Sequence, residues 1–117
     1  YVWADEFMIE GVITNYISNA LNHIVPPNQI RITLEQRENV IRLKVFNSGE
    51  HIPEEDLGHI WEKFYKVDKA RTREYGGSGI GLSIVAATME AHKKAYGVEN
   101  VEGGVEFFIE LDSQIES

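Results

Sequence analysis

Two pairs of short segments in which apolar and polar residues alternate place the strongest constraint on the fold of this chain. The first pair covers residues 30–35 and 40–46, and the second covers 96–101 and 105–111. Alternation with a period of two indicates a strand with one buried face, and the short polar or glycine-rich link inside each pair indicates a hairpin. The two hairpins predict a mostly antiparallel sheet with one apolar face to be covered.

Three helical patterns supply that cover. A long helix is predicted from Asp5 to Ile24, because its apolar residues fall on one broad arc and Pro26-Pro27 cannot continue it. A short helix is expected near Glu54 to Phe64, and a packed helix from Gly81 to His92. With hairpins in place of regular βαβ crossovers, the order predicts an α/β two-layer sandwich: a mixed, mostly antiparallel sheet covered by helices.

The composition limits the possible classes of protein. The chain has 117 residues, 43% of them hydrophobic, which fits one compact domain over 1–117. A formal net charge of −8 argues against nucleic acid as a partner, because phosphate backbones are bound through pooled Lys and Arg. Cysteine is absent, which excludes disulfides and cysteine-ligated metal sites. The chain reads as a fragment of a longer protein.

A basic stretch followed by a glycine cluster indicates a phosphorylated ligand. Five of the eleven basic residues lie just before the cluster: Lys63, Lys66, Lys69, Arg71 and Arg73. The cluster, 76–81, opens onto the predicted third helix, where backbone N–H groups and the helix dipole can meet phosphates. Its spacing matches neither a dinucleotide fingerprint nor a P-loop. A surface loop without a ligand is the alternative.

One side of the first predicted helix carries three amides. Asn15, Asn19 and Asn22 are spaced four and three residues apart, so their side chains project together. The carbonyl oxygen of Asn19 can bind a hard cation such as Mg²⁺ if phosphates supply most of the other ligands. A solvated helix face is the alternative unless another element covers these amides.

Four segments, in this order, resemble the motifs of the histidine-kinase branch of the GHKL ATPase superfamily. Asn15 to Ala20 looks like the N box, and Asn47 to Ile52 resembles the first glycine box. Ile60 to Lys66 looks like the F box, and Gly77 to Leu82 resembles the second glycine box. The resemblance covers nearly the whole chain, and four ordered motifs are far more specific than any one of them.

The resemblance implies a site for Mg-ATP. Asn19 is then the Mg²⁺ ligand and, with Asn15 near the phosphates, a catalytic residue, while Asn47, Gly49 and Ile52 line the adenine pocket. The arm through Arg71 and Arg73 resembles the lid over the triphosphate. The other nucleotide-binding residues that the resemblance implies are Asn22, His23, Phe64, Tyr65, Lys66, Gly77, Ser78, Gly79, Ile80, Gly81 and Leu82.

The resemblance also implies a protein-histidine kinase that transfers the γ-phosphate of ATP to a histidine on a separate phosphoacceptor helical hairpin, for relay to a response regulator. The family's acceptor histidine precedes an acidic residue, and none of the four histidines here does. We expect a cytoplasmic domain of a homodimeric, membrane-bound bacterial sensor. The alternatives are a non-catalytic nucleotide-sensing or docking module, and a GHKL enzyme that hydrolyses ATP or phosphorylates serine.

Three positions depart from the family pattern. Asn47 stands where the family usually has an adenine-reading Asp, Asn22 where many relatives have a phosphate-contacting Lys, and Val105 where a Thr is frequent. An amide oxygen still accepts a hydrogen bond from the adenine amino group, but charge-assisted bonds are roughly twice as strong. The departures predict weaker binding of ATP.

Overall fold

The computed structural model describes residues 2–3, 6–63, 65 and 81–113 of the chain. Within them lie five strands, two α-helices and one 3₁₀ turn. In chain order these are β1 (Val2–Trp3), α1 (Glu6–His23), β2 (Ile30–Arg37), β3 (Val40–Ser48), the 3₁₀ turn (Glu54–Asp56), α2 (Gly81–Ala91), β4 (Tyr96–Val101) and β5 (Gly104–Ser113).

The strands form one sheet in which β5 is central. One edge of β5 pairs with β3, and β3 in turn pairs with β2. The other edge of β5 pairs with β4 along most of its length and with β1 at its end. Every pairing among the described strands is antiparallel. The predicted two-layer sandwich and both predicted hairpins are confirmed, whereas the two-residue strand β1 is too short to show a pattern in the sequence.

The two helices cover one face of this sheet and form the core with it. Burial confirms most of both predicted apolar helix faces, whereas Leu21 of α1 and Ile84 of α2 are exposed. The core consists of Val12, Tyr16 and Ala20 of α1, Val85 and Met89 of α2, Leu43 and Val45 of β3, and Val105, Phe107, Ile109 and Leu111 of β5, with Ile60 from the segment before α2. Neither helix is long and apolar enough to cross a membrane in the part of the chain that is described.

The helix predicted over Glu54 to Phe64 is wrong for the residues that are described. A single 3₁₀ turn is followed by a series of turns, in which His59 N–H donates to the Asp56 carbonyl and Glu62 N–H to the His59 carbonyl. Gly58 lies in the middle of the segment and weakens a helix. Ile60 is buried within these turns.

Tyr16 joins the helical layer to the sheet. Its ring is fully buried, 5.3 Å from the ring of Phe107 and 6.5 Å from that of Trp61. Its hydroxyl donates a 3.0 Å hydrogen bond to the carbonyl of Phe108 on β5. Burial, with a smaller contribution from Tyr96, raises the pKa of Tyr16 well above its usual value. This residue therefore sets the height and rotation of α1 over the sheet.

We expect Tyr16→Phe to lower the free energy of unfolding by about 1 kcal/mol at neutral pH, because a buried hydrogen bond is lost. Alkaline pH adds a second test. Unfolded tyrosines lose their proton near pH ~10, whereas burial keeps Tyr16 protonated and the bond to Glu90 raises the pKa of Tyr96 to about 12. Stability is therefore retained below pH ~10 and lost above it.

Chemical denaturation at neutral pH and at pH ~11 measures both effects. The alkaline loss should be shallower in Tyr16→Phe than in the unmodified chain, and Tyr96→Phe measures the separate contribution of the Tyr96 hydroxyl. An alkaline loss of equal size in the unmodified chain and in Tyr16→Phe would contradict the assignment to Tyr16.

Candidate functional site

The start of α2 lies directly against the amides of α1. A Cβ atom built on Gly81 would lie 2.9 Å from the Oδ1 atom of Asn15. The Asn15 amide nitrogen donates a 2.9 Å bond to the carbonyl of Gly11, one turn earlier. This bond turns the carbonyl oxygen of the side chain towards the first residue of α2. A residue with a side chain at position 81 would push the Asn15 amide away.

The asparagine side of α1 is partly covered, and the cover is clear at Asn15. Asn15, Asn19 and Asn22 are all partly buried, whereas Thr14 and Ser18 on the outer side of the helix are exposed. Covering by another element is the condition that separates a binding face from an ordinary polar helix surface. The start of α2 supplies that cover at Asn15.

Asn47 is a buried polar residue at the end of β3. It is only 2% exposed, on the helix-facing side of the sheet between its cross-strand neighbours Ile30 and Val105. Its amide nitrogen donates a 3.1 Å bond to the carbonyl of Ser48. No donor among the described residues reaches its Oδ1 atom. A buried acceptor without a partner is costly, and an exocyclic amino group of a ligand would satisfy it.

The backbone around Asn47 is held by the hydroxyl of Ser48. That oxygen accepts a 2.8 Å bond from the N–H of Gln29 and donates a 2.7 Å bond to the carbonyl of Val25. The residue after it, Gly49, donates its N–H to the carbonyl of Gly103. These bonds tie the end of β3 both to the segment that follows α1 and to the turn between β4 and β5.

Two glycines allow the chain to pass close to Asn47. A Cβ on Gly49 would lie 2.9 Å from the Asn47 amide nitrogen and 3.1 Å from the carbonyl oxygen of His23. A Cβ on Gly104 would lie only 2.0 Å from the Asn47 carbonyl oxygen. Gly49 was a predicted site residue, whereas the sequence marked Gly104 only as part of a turn. The His23 side chain is exposed, so it is the backbone of His23 that lies beside Gly49.

Ile52 is positioned by a residue that the sequence did not single out. The Asn100 side chain of β4 accepts a 2.8 Å bond from the Ile52 N–H and donates a 2.8 Å bond to the Ile52 carbonyl. His51 adds a 2.7 Å bond to the carbonyl of Val101. The segment after Gly49 is thus attached to β4 although it follows β3 in the chain. A side-chain amide that bonds to a distant backbone leaves no periodic signal in the sequence.

Tyr65 belongs to a separate cluster. Its hydroxyl donates to the carboxylate of Asp56, and its ring stacks on His59 at 5.3 Å. The hydrogen bond to Asp56 is the main cause that raises the pKa of the Tyr65 hydroxyl. None of its described contacts involves Asn15, Asn47 or Gly81. The structure therefore does not bring this predicted site residue to the others.

Several predicted site residues lie outside the described part of the chain. These are Phe64, Lys66, Arg71, Arg73, Gly77, Ser78, Gly79 and Ile80. Leu82 is described, and it packs against the core. Within the described residues no group of three His, Asp or Glu side chains could hold a metal ion by itself.

Helix α1 connects the two ends of the candidate site. Asn15 lies against the start of α2, and the carbonyl of His23 lies against Gly49 beside Asn47. These two positions are eight residues apart, which is about 12 Å along a helix axis. One elongated ligand can contact both positions at this separation.

The sequence of the chain matches a known protein family over almost its full length. The model of the histidine kinase-, DNA gyrase B- and HSP90-like ATPases matches residues 4–115. The chain belongs to this family. Among its relatives, the sensor protein VanSB of Enterococcus faecalis is 36% identical over 94% of this chain and 25% of VanSB. The sensor histidine kinase WalK of Bacillus subtilis is 34% identical over 88% of this chain and 17% of WalK.

Solved structures agree with this family assignment. The catalytic domain of histidine kinase ThkA is 32% identical, with a TM-score of 0.80 over 98% of this chain and 73% of that one. ThkA in complex with the response regulator protein TrrA gives a TM-score of 0.79 at 32% identity, over 97% of this chain and 30% of that one. The chain is thus an ATP-binding catalytic domain of the sensor histidine kinase type. It spans a quarter or less of the length of VanSB and WalK.

We expect Gly104→Ala to destabilise the domain by ~3 kcal/mol, because the new Cβ would overlap the backbone at Asn47. A side-chain rotation cannot relieve this overlap. Gly58→Ala is the matched control, since nothing lies within 4 Å of a Cβ at that position. Its effect should stay within ~0.5 kcal/mol. Thermal and urea unfolding measure both variants, and equal stabilities would show that this close approach is absent.

Proposed function

We propose that the domain, taken as one unit over residues 1–117, binds Mg-ATP and donates the γ-phosphate to a histidine on a separate phosphoacceptor domain. The observation that carries this proposal is the buried Asn47, whose Oδ1 atom has no donor among the described residues. Such an atom fits the amino group of adenine. The membership of the chain in the ATPase family supports the same assignment.

The adenine end of the proposed site is formed by backbone as much as by side chains. Gly49 lets the chain turn beside the last turn of α1, and Ile52 is held by Asn100 where its apolar side chain can line the pocket. The hydrogen bond to Ser48 holds the amide nitrogen of Asn47 on the strand side, so the oxygen is left for the base. The pocket therefore presents an acceptor to the ligand.

Asn19 is the proposed protein ligand to Mg²⁺. The described residues contain no cluster of acidic or histidine side chains that could hold the ion alone. This composition fits Mg²⁺, which often takes one or two protein ligands and completes its shell with water and phosphate oxygens. The ion would neutralise charge on the phosphates. Asn15 lies one turn away against Gly81, and its proposed role is to support the start of α2 near the same phosphates.

The remaining phosphate ligands are predicted among residues outside the described part of the chain. Arg71 and Arg73 are the expected cations, and Gly77 and Gly79 are the expected backbone donors. Lys66, Arg71 or Arg73 is proposed to replace the lysine absent at Asn22. Their proposed work is positioning and charge neutralisation, which account for most of the rate enhancement in phosphoryl transfer. An amide at Asn15 cannot accept a proton from water, which favours transfer to a histidine over hydrolysis.

The partners follow from the proposed transfer. The similar kinase ThkA has been solved in complex with a response regulator. We expect the parent of this chain to contain the phosphoacceptor hairpin, to act as a homodimer and to pass the phosphate to a response regulator. We also expect the domain to work in the cytoplasm as part of a membrane-bound sensor.

Replacing Asn19 tests the metal site. We expect Asn19→Ala to weaken ATP binding in the presence of Mg²⁺ by ~tenfold or more, and to leave binding in EDTA nearly unchanged, because only the metal-dependent part is lost. Ser18→Ala is the matched control on the exposed side of α1. Calorimetric titration with the non-hydrolysable analogue AMPPNP measures both variants. Unchanged Mg-dependent affinity in Asn19→Ala would remove the assignment.

Replacing Asn47 tests the adenine end. We expect Asn47→Asp to bind AMPPNP about fivefold more tightly, because a charged acceptor strengthens the bond to the amino group. The same change should lower the free energy of unfolding by at least ~2 kcal/mol, since the bond from the amide nitrogen to Ser48 is lost and an unpaired carboxylate is buried in the free domain. Titration and urea denaturation separate the two effects.

The matched control variant is Asn47→Leu, which removes the hydrogen-bond acceptor at position 47 and keeps a side chain of similar volume. It should bind AMPPNP and the inosine analogue of ATP equally weakly, since inosine lacks the amino group that the acceptor would read. If Asn47→Leu bound AMPPNP as tightly as the unmodified chain, position 47 would not contact adenine.

Catalysis is tested in the parent protein. Transfer of ³²P from ATP to the phosphoacceptor domain should require Asn19 and Asn15. Binding of ATP without any transfer would favour a nucleotide-sensing module instead.

A further inference from the structure

The free edge of β2 is an unprotected part of the sheet. Strand β2 is the last strand on its side, and no described strand pairs with its outer edge. On the helix-facing side, two large apolar residues of this strand stay exposed, Ile32 at 50% and Leu34 at 66%. Their neighbours across the hairpin, Val45 and Leu43, are buried. An exposed edge with uncovered apolar residues is a template for pairing with another strand.

The direction of the free backbone groups follows from the hairpin register. The N–H of Ser48 donates to the carbonyl of Gln29, so residue 29 points its backbone groups towards β3. In an antiparallel pair this direction alternates from residue to residue. Residues 31, 33, 35 and 37 therefore face β3. The backbone groups of Ile30, Ile32, Leu34 and Gln36 point outwards and are available to a further strand.

The sequence of β2 is complementary to itself when it is paired antiparallel with a second copy. With Thr33 opposite Thr33 of the second copy, Ile32 lies opposite Leu34 on the helix-facing side. On the other side, Arg31 lies opposite Glu35. Each of these two cross-strand contacts occurs twice, because the two copies are related by a two-fold axis. The paired residues with outward backbone groups are then Ile32 and Leu34, as the hydrogen-bond alternation requires.

Neighbouring registers are less favourable. A shift by two residues in one direction places Arg31 opposite Arg37, which brings like charges together. A shift in the other direction leaves Arg31 opposite Thr33 and Glu35 opposite Gln29. A shift by one residue would place outward backbone groups against inward ones. The register centred on Thr33 therefore gives the best match of charge, apolar contact and backbone bonding at once.

We propose that this edge is a self-association surface, on which two copies of the domain join their β2 strands antiparallel about Thr33 into one continuous sheet. The occupant is a second copy of this chain, recognised by the reciprocal Arg31 and Glu35 pairs and by the Ile32 and Leu34 contacts. A single strand pair buries a small area, and each copy carries a net charge of −8. The dimer is therefore weak and concentration-dependent, and it suits copies held near one another.

A single cysteine tests the register directly, because the chain contains none. In the proposed dimer Thr33 forms a non-hydrogen-bonded pair with its copy, at a Cα separation of about 4.5 Å that a disulfide can span. Thr33→Cys should therefore give a covalent dimer under mild oxidation. Ile32→Cys and Leu34→Cys should cross-link at least ~tenfold more slowly, since neither faces itself. Thr14→Cys, exposed on α1, is the control for random collision.

Sedimentation equilibrium of the cysteine-free chain tests the surface without a cross-link. Leu34→Lys should weaken dimerisation at least ~tenfold, whereas Ile84→Lys, a 45% exposed apolar residue on α2, should not. Arg31→Glu should also weaken it, and adding Glu35→Arg should restore it. Circular dichroism confirms that each variant is folded, which matters for Arg31 because it lies 4.5 Å over the ring of Phe46.

The proposal is overturned if the chain stays monomeric at millimolar concentration and Thr33→Cys cross-links no faster than Thr14→Cys. It is also overturned if dimers form but neither Leu34→Lys nor the charge exchange alters them. A monomeric chain in which Leu34→Lys weakens phosphotransfer in the parent protein would assign the same edge to a different domain instead.

Discussion

The position of α1 over the sheet is the constraint on which the candidate site depends, and Tyr16 fixes it. The phenol is buried among Phe107 and Trp61 and donates a hydrogen bond to the Phe108 carbonyl, so it resists both sliding and rotation of the helix. Asn15 is the residue before it, and the carbonyl of His23 lies two turns further on. The Tyr16 side chain, together with Val12 and Ala20 in the core, thus holds both ends of the site in place relative to β3 and β5.

The sheet contributes through its central strand. Strand β5 pairs with β3 on one edge and with β4 on the other, so it joins the two hairpins into one surface. On the exposed face of this sheet, Arg42 bonds to Glu110 and lies 4.0 Å over the ring of Phe108. Lys44 bonds to Glu35, which is the main cause that lowers the pKa of that carboxyl. The charged side chains thereby cover aromatic residues that no helix protects.

Much of this fold could be predicted from the sequence, because the features that decide it are periodic. Alternation in the two hairpins and the apolar arcs of α1 and α2 follow directly from burial on one face. The segment after Pro53 was predicted incorrectly, since Ile60 and Trp61 suggest a helix while Gly58 and the packing of the turns decide otherwise. Strand β1 was missed because two residues cannot display a period.

The candidate site was predictable to the extent that it consists of local motifs. Asn15 and Gly81 are brought together, and Asn47 and Gly49 are neighbours beside α1. The contributions of Asn100 and Gly104 were not visible, because each depends on a partner about fifty residues away. Pairwise contacts of this kind arise only when the sheet is assembled.

The attachment of Ile52 to Asn100 has a consequence for how the pocket can vary. One wall of the proposed adenine pocket, the segment at His51 and Ile52, follows β3 in the chain. Its hydrogen bonds nevertheless attach it to β4 of the last hairpin. Thermal fluctuations of β4 are therefore transmitted to that wall, whereas the Asn47 side of the pocket follows the better-supported strand β3. Differences in nucleotide affinity among related domains can then originate in the C-terminal hairpin, with every residue that touches the base left unchanged.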